Sequence, residues 1–161
     1  MREVISIELP EKILTKTGIE TLWFYTILEK GIAVKSGFTD GCLEEIIESE
    51  KAIQARKILT DYFSGKRTSF EEIDFKLDLS KFTTAILIEV ARIPYGTVAT
   101  YGEIAARIQS RAYRAVGQAL KRNPLPVIIP CHRVVGKSGI GGYSSDLRIK
   151  TALLDLEGVL L

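Results

Sequence analysis

The chain has 161 residues, of which 46% are hydrophobic and 26% are charged, and its net charge is +2. This length suits one domain or two small lobes, since domains usually have roughly 100–150 residues. The composition excludes a disordered chain. No apolar run approaches the roughly 20 residues that cross a bilayer, and the polar start Met1-Arg2-Glu3 is unlike a signal peptide, so no membrane association is expected.

The low counts of cysteine, histidine and asparagine exclude some kinds of site and indicate a source. The two cysteines, Cys42 and Cys131, cannot form a disulfide framework, which indicates a reducing cytoplasm rather than export. One histidine and two cysteines also cannot supply a four-ligand zinc site, so no metal is expected. The single asparagine, Asn123, and the low number of glutamines, beside many charged residues, indicate a thermophilic source.

Charge is distributed unevenly between the two halves of the chain. Residues 1–80 have a net charge of −4, and residues 81–161 have a net charge of +6. Between Arg92 and Lys137 there are eight basic residues and one acid, Glu103. A basic stretch in one half predicts a polyanionic partner there, although a solvated helical face would give the same pattern. The acidic first half argues against coating by nucleic acid and favours a single docking face.

Residues 1–79 predict a small α/β lobe with an antiparallel sheet and a helix. Segments that alternate apolar and polar residues, or that are rich in β-branched and aromatic ones, predict strands at 3–9, 21–28, 32–38 and 73–79. Glu29-Lys30-Gly31 predicts a hairpin turn between the second and third of these. Apolar residues at a helical period predict a helix over 42–63, with Gly65 as its end.

Residues 80–161 predict an α-rich domain that contains a helix-turn-helix. Ser80 can cap a first helix. Thr100-Tyr101-Gly102-Glu103 matches a capping box and opens a second helix, and Ser110 can cap a third over 111–122. Two short helices joined by a tight turn, the second of them basic, fit a helix-turn-helix, although an ordinary helix pair would look the same.

The segment after these helices contains the second cysteine. Residues 127–135 form an apolar run that is expected to be buried and mostly extended, and a glycine-rich loop follows over 136–145. A last helix is expected over 146–157. Three of its leucines are expected to be buried, namely Leu147, Leu153 and Leu154.

Cys131 is the first candidate for chemistry. Free cysteines are often buried and inert, and an apolar run is where an inert one would lie. However, His132 and Arg133 interrupt the run directly after it, and cations near a thiol favour the nucleophilic thiolate. His132 could accept the thiol proton, directly or through water, and Glu157 could polarise it. Protease-like, redox and alkyl-accepting roles all stay open on these grounds.

Seven different short motifs follow one another along the second half of the chain. They are Pro94-Tyr95-Gly96-Thr97-Val98, Tyr101-Gly102-Glu103-Ile104-Ala105, Arg114-Ala115-Val116-Gly117, Asn123-Pro124-Leu125-Pro126, Pro130-Cys131-His132-Arg133-Val134-Val135, Tyr143-Ser144 and Leu156-Glu157-Gly158. In order and spacing the chain resembles the O6-alkylguanine-DNA alkyltransferases, also called methylated-DNA–protein-cysteine methyltransferases. The first half resembles this family only loosely.

The resemblance implies a DNA-repair enzyme that flips an alkylated guanine out of the duplex and moves the alkyl group from O6 to a cysteine, once per molecule and without a cofactor. Activity on O4-alkylthymine stays open. The residues assigned to catalysis are Cys131, His132, Glu157, Asn123 and Tyr101. The residues assigned to the base and its alkyl group are Tyr101, Val134, Pro126, Tyr143, Ser144 and Ser145.

Distinct roles follow from the resemblance for the catalytic set. His132 and Glu157 form a water-mediated relay that deprotonates Cys131. Asn123 bridges the DNA-reading helix and the cysteine segment, and Tyr101 donates to a ring nitrogen of the base.

The resemblance also implies that a monomer binds double-stranded DNA through the minor groove, with cooperativity left open. Arg114 would enter the base stack and fill the space that the flipped base leaves. Small side chains on the same helix would let it approach the narrow groove. The residues expected to contact DNA are Arg114, Ala115, Ser110, Arg111, Ala112, Thr100, Gly117 and Arg133.

Two alternatives come from other classes of protein. A DNA-binding module of the alkyltransferase-like kind recognises the lesion without repairing it, but such proteins lack the acceptor cysteine. A cysteine hydrolase using Cys131, His132 and Glu157 would turn over peptides or esters and would be indifferent to DNA.

Overall fold

In the computed structural model, which describes residues 1–161, the first half contains a three-stranded antiparallel sheet. Its strands lie in the order β1, β2, β3 and span Arg2–Glu8, Trp23–Glu29 and Ile32–Thr39. The hairpin between β2 and β3 turns at Lys30 and Gly31, whose φ angles of 53° and 75° are the two positive values that a type I′ turn requires. The predicted small antiparallel sheet and its hairpin are confirmed.

The helices of this half differ from the expectation. The sequence does not predict α1 (Glu11–Thr17), because seven residues are too few to show a helical period. α2 spans Glu50–Phe63, so the predicted start at residue 42 is wrong. The helix begins where Ser49 caps it, with the serine side chain accepting the N–H of Ala52.

Two segments beside the sheet lack regular structure. The backbone of the chain leading into α2 pairs with β1 only at an isolated bridge between Val4 and Ile46. The predicted strand over 73–79 is wrong, since a single bridge between Ala33 and Phe75 is all that pairs it with the sheet. Its alternating pattern has another cause, because every second side chain of this segment packs against the core.

The regular structure of the second half is mainly helical, with α3 (Lys81–Ala91), α4 (Tyr101–Arg107), α5 (Tyr113–Leu120) and α6 (Leu147–Leu156). The predicted caps of the first two are confirmed: Ser80 caps α3, and Thr100 with Glu103 forms a complete capping box at α4. α4 and α5 pack against each other across a short turn as a helix-turn-helix. None of the helices is long and apolar enough to cross a membrane.

α5 and α6 are shorter than predicted. Ser110 does not cap α5: Ala112 occupies the cap position, and Ser110 Oγ accepts the N–H of Ala112 at 3.0 Å. In α6, Leu153 and Leu154 are buried as predicted. Leu147 is 47% exposed, so its predicted burial is wrong; it is the first residue of the helix and faces solvent.

The predicted apolar run over 127–135 is buried, but it is not extended throughout. Cys131–Arg133 form one turn of 3₁₀ helix, and the two residues after it, Val134–Val135 (β5), pair in parallel with Ala99–Thr100 (β4). A single core of 34 buried residues draws side chains from both halves of the chain and includes Cys131. The turn that contains Cys131 therefore lies inside the core.

Glu3 is a buried carboxylate that organises the start of α2. Its Oε1 accepts the backbone N–H groups of Glu48 and Ser49, at 2.9 and 2.7 Å, and its Oε2 accepts the Ser49 hydroxyl at 2.8 Å. Burial by itself raises the pKa of Glu3, but these hydrogen bonds outweigh it and the pKa is lowered.

We expect Glu3→Gln to reduce the free energy of unfolding by about 1–3 kcal/mol at neutral pH, because buried donors lose an ionised partner. The native pKa of Glu3 lies below the unfolded one. The difference in unfolding free energy between the variant and the unchanged protein should therefore have its full size above the ordinary glutamate pKa of about 4.3. It should vanish as the pH falls through the native pKa of Glu3. Urea unfolding at neutral and acidic pH measures this. Glu8→Gln, on an exposed side chain of the same strand, is the control, and an equal loss there would contradict the expectation.

Candidate active site

The 3₁₀ turn places Cys131 in the wall of a small cavity. The residue is 4% exposed, and its N–H donates to the carbonyl of Ile129 at 2.7 Å. The cavity has a volume of about 230 Å³ and is also lined by Tyr101, Gly117, Leu120, Lys121, Gly142, Tyr143 and Ser144. A larger cavity of about 610 Å³ lies elsewhere, and neither a cysteine nor a histidine lines it. No group of three or more His, Cys, Asp or Glu side chains that could hold a metal ion is present.

Burial controls the protonation state of Cys131. It raises the pKa of the thiol, while the Asn123 amide and the Lys150 ammonium act in the opposite direction by favouring the thiolate. The net result is a raised pKa, so the resting side chain is a thiol. Nucleophilic chemistry at this sulfur therefore requires a base to take its proton.

Glu157 is the centre of a buried hydrogen-bond network at the end of α6. Its Oε1 lies 2.8 Å from His132 Nε2 and accepts the Tyr62 hydroxyl at 2.7 Å. Both carboxylate oxygens accept the Arg133 guanidinium at 2.8–3.1 Å, and Oε2 also accepts the N–H of Gly96. Burial raises the pKa of Glu157, but hydrogen bonds from His132 and Arg133 and the positive charge of the Arg133 guanidinium lower it well below its ordinary value, so the carboxylate is ionised.

This network assigns the tautomer of His132. An ionised carboxylate only accepts, so the proton between His132 and Glu157 belongs to Nε2. Burial lowers the pKa of His132, which keeps the ring neutral at pH 7. Nδ1 is then an unprotonated acceptor, and it is buried without a hydrogen-bond partner in the protein. Nδ1 is the atom that can take a proton from a neighbouring donor.

Asn123 holds the turn between α5 and the cysteine segment. Its side-chain amide donates to the carbonyl of Ile129 at 3.0 Å, and its Oδ1 accepts the N–H two residues further on at 2.9 Å. From the opposite side, Ser36 in β3 donates its N–H to the carbonyl of Pro124 and its hydroxyl to the carbonyl of Pro126, at 2.9 and 2.8 Å. The turn is therefore fixed by both halves of the chain.

Val127 shows how firmly this turn is held. Its φ angle of 75° lies in the left-handed region, which β-branched residues avoid, and such strain costs of the order of 1–3 kcal/mol. The residue is fully buried. The strained conformation persists because Asn123 and Ser36 fix the chain around it, and the same contacts fix the approach to Cys131.

Gly142 connects two sides of the cavity through its backbone. Its N–H donates to Tyr101 Oη at 3.2 Å, and its carbonyl accepts Lys150 Nζ at 2.8 Å. Lys150 also donates to the carbonyl of Val134 at 2.7 Å. Because the Tyr101 oxygen accepts from Gly142, its own proton can be donated into the cavity. The neighbouring Gly141 has φ 74°, and a Cβ there would lie 2.8 Å from Tyr101 Oη, so only glycine fits.

Two buried polar side chains of this site, Lys150 and Tyr62, are among the residues that the sequence does not predict. Lys150 is fully buried and forms no ion pair with a carboxylate, and this burial lowers its pKa to about 8. Its signal in the sequence is a lysine on the same helical face as Leu153 and Leu154, where an apolar residue would be expected. Tyr62 gives no such signal, because an aromatic residue on an amphipathic helix is an ordinary core residue.

The structure brings only part of the predicted base-contacting set to the cavity. Three of its six members line it, namely Tyr101, Tyr143 and Ser144. Val134 and Pro126 are buried but do not line it, and their carbonyls accept hydrogen bonds from Lys150 and Ser36. Ser145 is exposed and lies outside the cavity wall.

Most residues predicted to contact DNA lie at the surface on or near α5. Those that are exposed are Arg111, Ala112 and Arg114, and those that are partly buried are Thr100, Ser110, Ala115 and Gly117. Arg133 differs: it is 3% exposed, pairs with Glu157, and donates to the carbonyl of Ile93 at 2.7 Å. The prediction that Arg133 binds DNA is wrong, because a carboxylate distant in sequence holds its guanidinium inside the core.

Comparison with known proteins agrees with this geometry. The family described as 6-O-methylguanine DNA methyltransferase, DNA binding domain, matches residues 81–159. A methylated-DNA–protein-cysteine methyltransferase of Archaeoglobus fulgidus is 49% identical over 144 residues, which cover 86% of this chain and 94% of the relative. The chain belongs to the family of methylated-DNA–protein-cysteine methyltransferases, as its motifs predict.

Solved structures extend the similarity to the first half. Mycobacterium tuberculosis OGT in complex with DNA has a TM-score of 0.73 at 27% identity, covering 95% of this chain and 92% of that one. An O6-methylguanine-DNA methyltransferase from the hyperthermophilic archaeon Pyrococcus kodakaraensis has a TM-score of 0.66 at 28% identity, covering 99% of this chain and 100% of that one. The expected thermophilic source fits such archaeal relatives.

We expect Lys150→Met to slow the reaction of Cys131 with iodoacetamide about fivefold to tenfold at pH 7, where Lys150 is mostly protonated because its pKa is about 8. The reason is that losing a nearby cation raises the thiol pKa, and one pKa unit is a factor of ten in thiolate. Mass spectrometry of the Cys131 peptide separates this reaction from that of the exposed Cys42. Lys137→Met, on an exposed side chain, is the matched control. Equal rates in both variants would exclude an electrostatic effect of Lys150 on the thiol.

Proposed function

We propose that this protein repairs DNA by transferring an alkyl group from O6 of a guanine in duplex DNA to Sγ of Cys131, once per molecule. The observation that carries the proposal is a buried thiol followed directly by a neutral histidine, whose unprotonated nitrogen has no partner in the protein. Membership of the methyltransferase family and the DNA complex of the M. tuberculosis relative support DNA as the partner.

The transfer is a displacement at the alkyl carbon. The thiol proton of Cys131 passes to His132 Nδ1, directly or through one water, and the sulfur attacks the carbon. The S–C bond forms as the C–O6 bond breaks, and the electron pair of that bond leaves on the guanine oxygen. Glu157 stabilises the imidazolium that forms, because its carboxylate is ionised and bound to Nε2.

The departing guanine carries the negative charge of this step. Tyr101, whose hydroxyl proton points away from its Gly142 donor, can give a hydrogen bond or proton to a ring nitrogen of the base. If Tyr101 gives up its proton, it regains one from solvent while the His132 imidazolium releases one, so that the proton gained by guanine is balanced by the one that Cys131 loses. The net reaction converts a thiol and an O6-alkylguanine into a thioether and guanine.

Access to the cavity requires the base to leave the duplex, since a stacked O6 cannot reach a buried sulfur. α5 carries Arg114 on its exposed side, and Gly117 and Leu120 of the same helix line the cavity. Docking of α5 in the minor groove would put Arg114 against the base stack, where its side chain can occupy the vacated position. We infer that a monomer carries the whole site, since every group used here belongs to one chain.

The structure also supports a single turnover. A thioether is a poor leaving group, and the second cysteine, Cys42, is exposed in the first half of the chain rather than in the cavity. Two unpaired thiols agree with a reducing compartment such as the cytoplasm. In this proposal residues 80–161 bind DNA and accept the alkyl group, and residues 1–79 form a supporting lobe.

Incubation with a duplex containing O6-methylguanine should add the mass of one methyl group to the peptide that contains Cys131, with one product per protein. Cys42→Ser should be methylated as the unchanged protein is, and Cys131→Ser should not be. An unmodified Cys131 peptide would refute alkyl transfer. Repeated hydrolysis of esters or peptides without need of DNA would instead identify a cysteine hydrolase.

Arg114→Ala should slow repair of the duplex about tenfold to a hundredfold while leaving the reaction with free O6-benzylguanine nearly unchanged, because only the duplex requires flipping at a cost of a few kcal/mol. Single-turnover rates on the two substrates measure this. Arg107→Ala removes an exposed charge from α4 and is the charge-matched control. Equal losses on duplex and free base would exclude a flipping role for Arg114.

A further inference from the structure

One side chain from residues 1–79 reaches the proton relay. Tyr62 lies near the end of α2 and is fully buried. Its hydroxyl donates to Glu157 Oε1 at 2.7 Å and lies 3.2 Å from His132 Nε2. The other partners of the Glu157 carboxylate, His132, Arg133 and Gly96, all come from the second half.

The position of the Tyr62 hydroxyl is fixed by its surroundings. The ring packs against Phe63, Phe70 and Tyr95, with centroids 5.2, 5.0 and 6.0 Å away in edge-on arrangements. A tyrosine in such a cluster buries a polar group that phenylalanine would not, and this is costly unless the hydroxyl is hydrogen-bonded. The Tyr62 hydroxyl has only two hydrogen-bond partners, His132 and Glu157, and both belong to the relay.

The direction of these hydrogen bonds is set by chemistry. The ionised Glu157 can only accept, so the Tyr62 proton points to Oε1 and a lone pair of its oxygen faces the Nε2–H of His132. Burial and the nearby charge of Glu157 raise the pKa of Tyr62 well above its ordinary value, so it remains a donor at every working pH. The Tyr62 hydroxyl therefore lies against the hydrogen bond between His132 Nε2–H and Glu157 Oε1 and contacts both of its atoms.

Glu157 depends on hydrogen bonds such as the one from Tyr62 because it lies at the end of α6. It is the residue that follows the last turn of α6, and Gly158 after it has φ 76°, so the helix ends there. The carboxylate is therefore oriented by its hydrogen-bond partners rather than by a continuing helix.

We propose that Tyr62 is a positioning residue of the alkyl-transfer site, which fixes the Glu157 carboxylate against Nε2 of His132 and so leaves Nδ1 to receive the thiol proton. The inference rests on the proposed function, because it assigns Tyr62 to the relay that activates Cys131. It makes the first half of the chain a contributor to the chemistry and not only a support.

Tyr62→Phe tests this, since it removes only the hydroxyl and keeps the aromatic packing. Tyr95→Phe is the matched control: its hydroxyl lies in the same cluster but donates to the backbone carbonyl of Leu156. Tyr62→Phe should slow the reaction of Cys131 with free O6-benzylguanine about tenfold, a part of what a positioned base contributes. Tyr95→Phe should react at nearly the unchanged rate.

The chain offers a direct probe of the same bond, because His132 is its only histidine. A ring N–H proton held by a buried carboxylate should give one downfield NMR signal, assignable without ambiguity. We expect this Nε2–H signal in the unchanged protein and in Tyr95→Phe, and its broadening by faster solvent exchange in Tyr62→Phe. A general loss of packing would not broaden the signal of this proton alone.

The outcomes separate the two proposals. If Tyr62→Phe keeps both the alkyl-transfer rate and the Nε2–H signal of Tyr95→Phe, the positioning role is overturned while alkyl transfer stands. If the unchanged protein does not become alkylated at Cys131, the proposed function fails, and the NMR comparison still decides whether Tyr62 protects the His132–Glu157 bond. A slower rate together with a broadened signal in Tyr62→Phe alone supports the role.

Discussion

The fold depends on one buried carboxylate. Glu157 accepts hydrogen bonds from Tyr62, His132, Arg133 and the backbone of Gly96, and in doing so links α6 to α2, to the turn that contains Cys131 and to the loop before β4. Removing one partner of such a buried ion pair commonly costs about 3–5 kcal/mol, because the other charge is left without compensation. The same contacts that stabilise the core therefore set the tautomer of His132, which follows Cys131.

Burial raises the pKa of Cys131 and lowers that of His132, and both effects have the same physical origin. An apolar core disfavours charge, so Cys131 rests as a thiol and His132 as a neutral imidazole. Neither group is reactive by itself in this state. Charge separation becomes favourable only where fixed charges are present, and Glu157 and Lys150 supply them without exposing the thiol to solvent.

The sequence predicts well what local rules govern and poorly what depends on distant contacts. The caps at Ser80 and Thr100 follow from a few neighbouring residues, and they are confirmed. The burial of Arg133 and the hydrogen bond of the buried Tyr62 hydroxyl depend on Glu157, which is 24 and 95 residues away along the chain. The strand predicted over 73–79 fails for a related reason, since alternation reports which side chains are buried and not whether the backbone is paired.

Gly142 performs two tasks with its main chain alone, donating to Tyr101 and accepting from Lys150. No heavy atom lies within 4 Å of the Cβ that an alanine would place there, so an alanine scan would record this residue as tolerant. The contribution of Gly142 comes from its backbone N–H and carbonyl groups and not from a side chain. Only a change to the backbone, such as an ester in place of the amide at this position, would remove the hydrogen bond to Tyr101 while keeping every side chain.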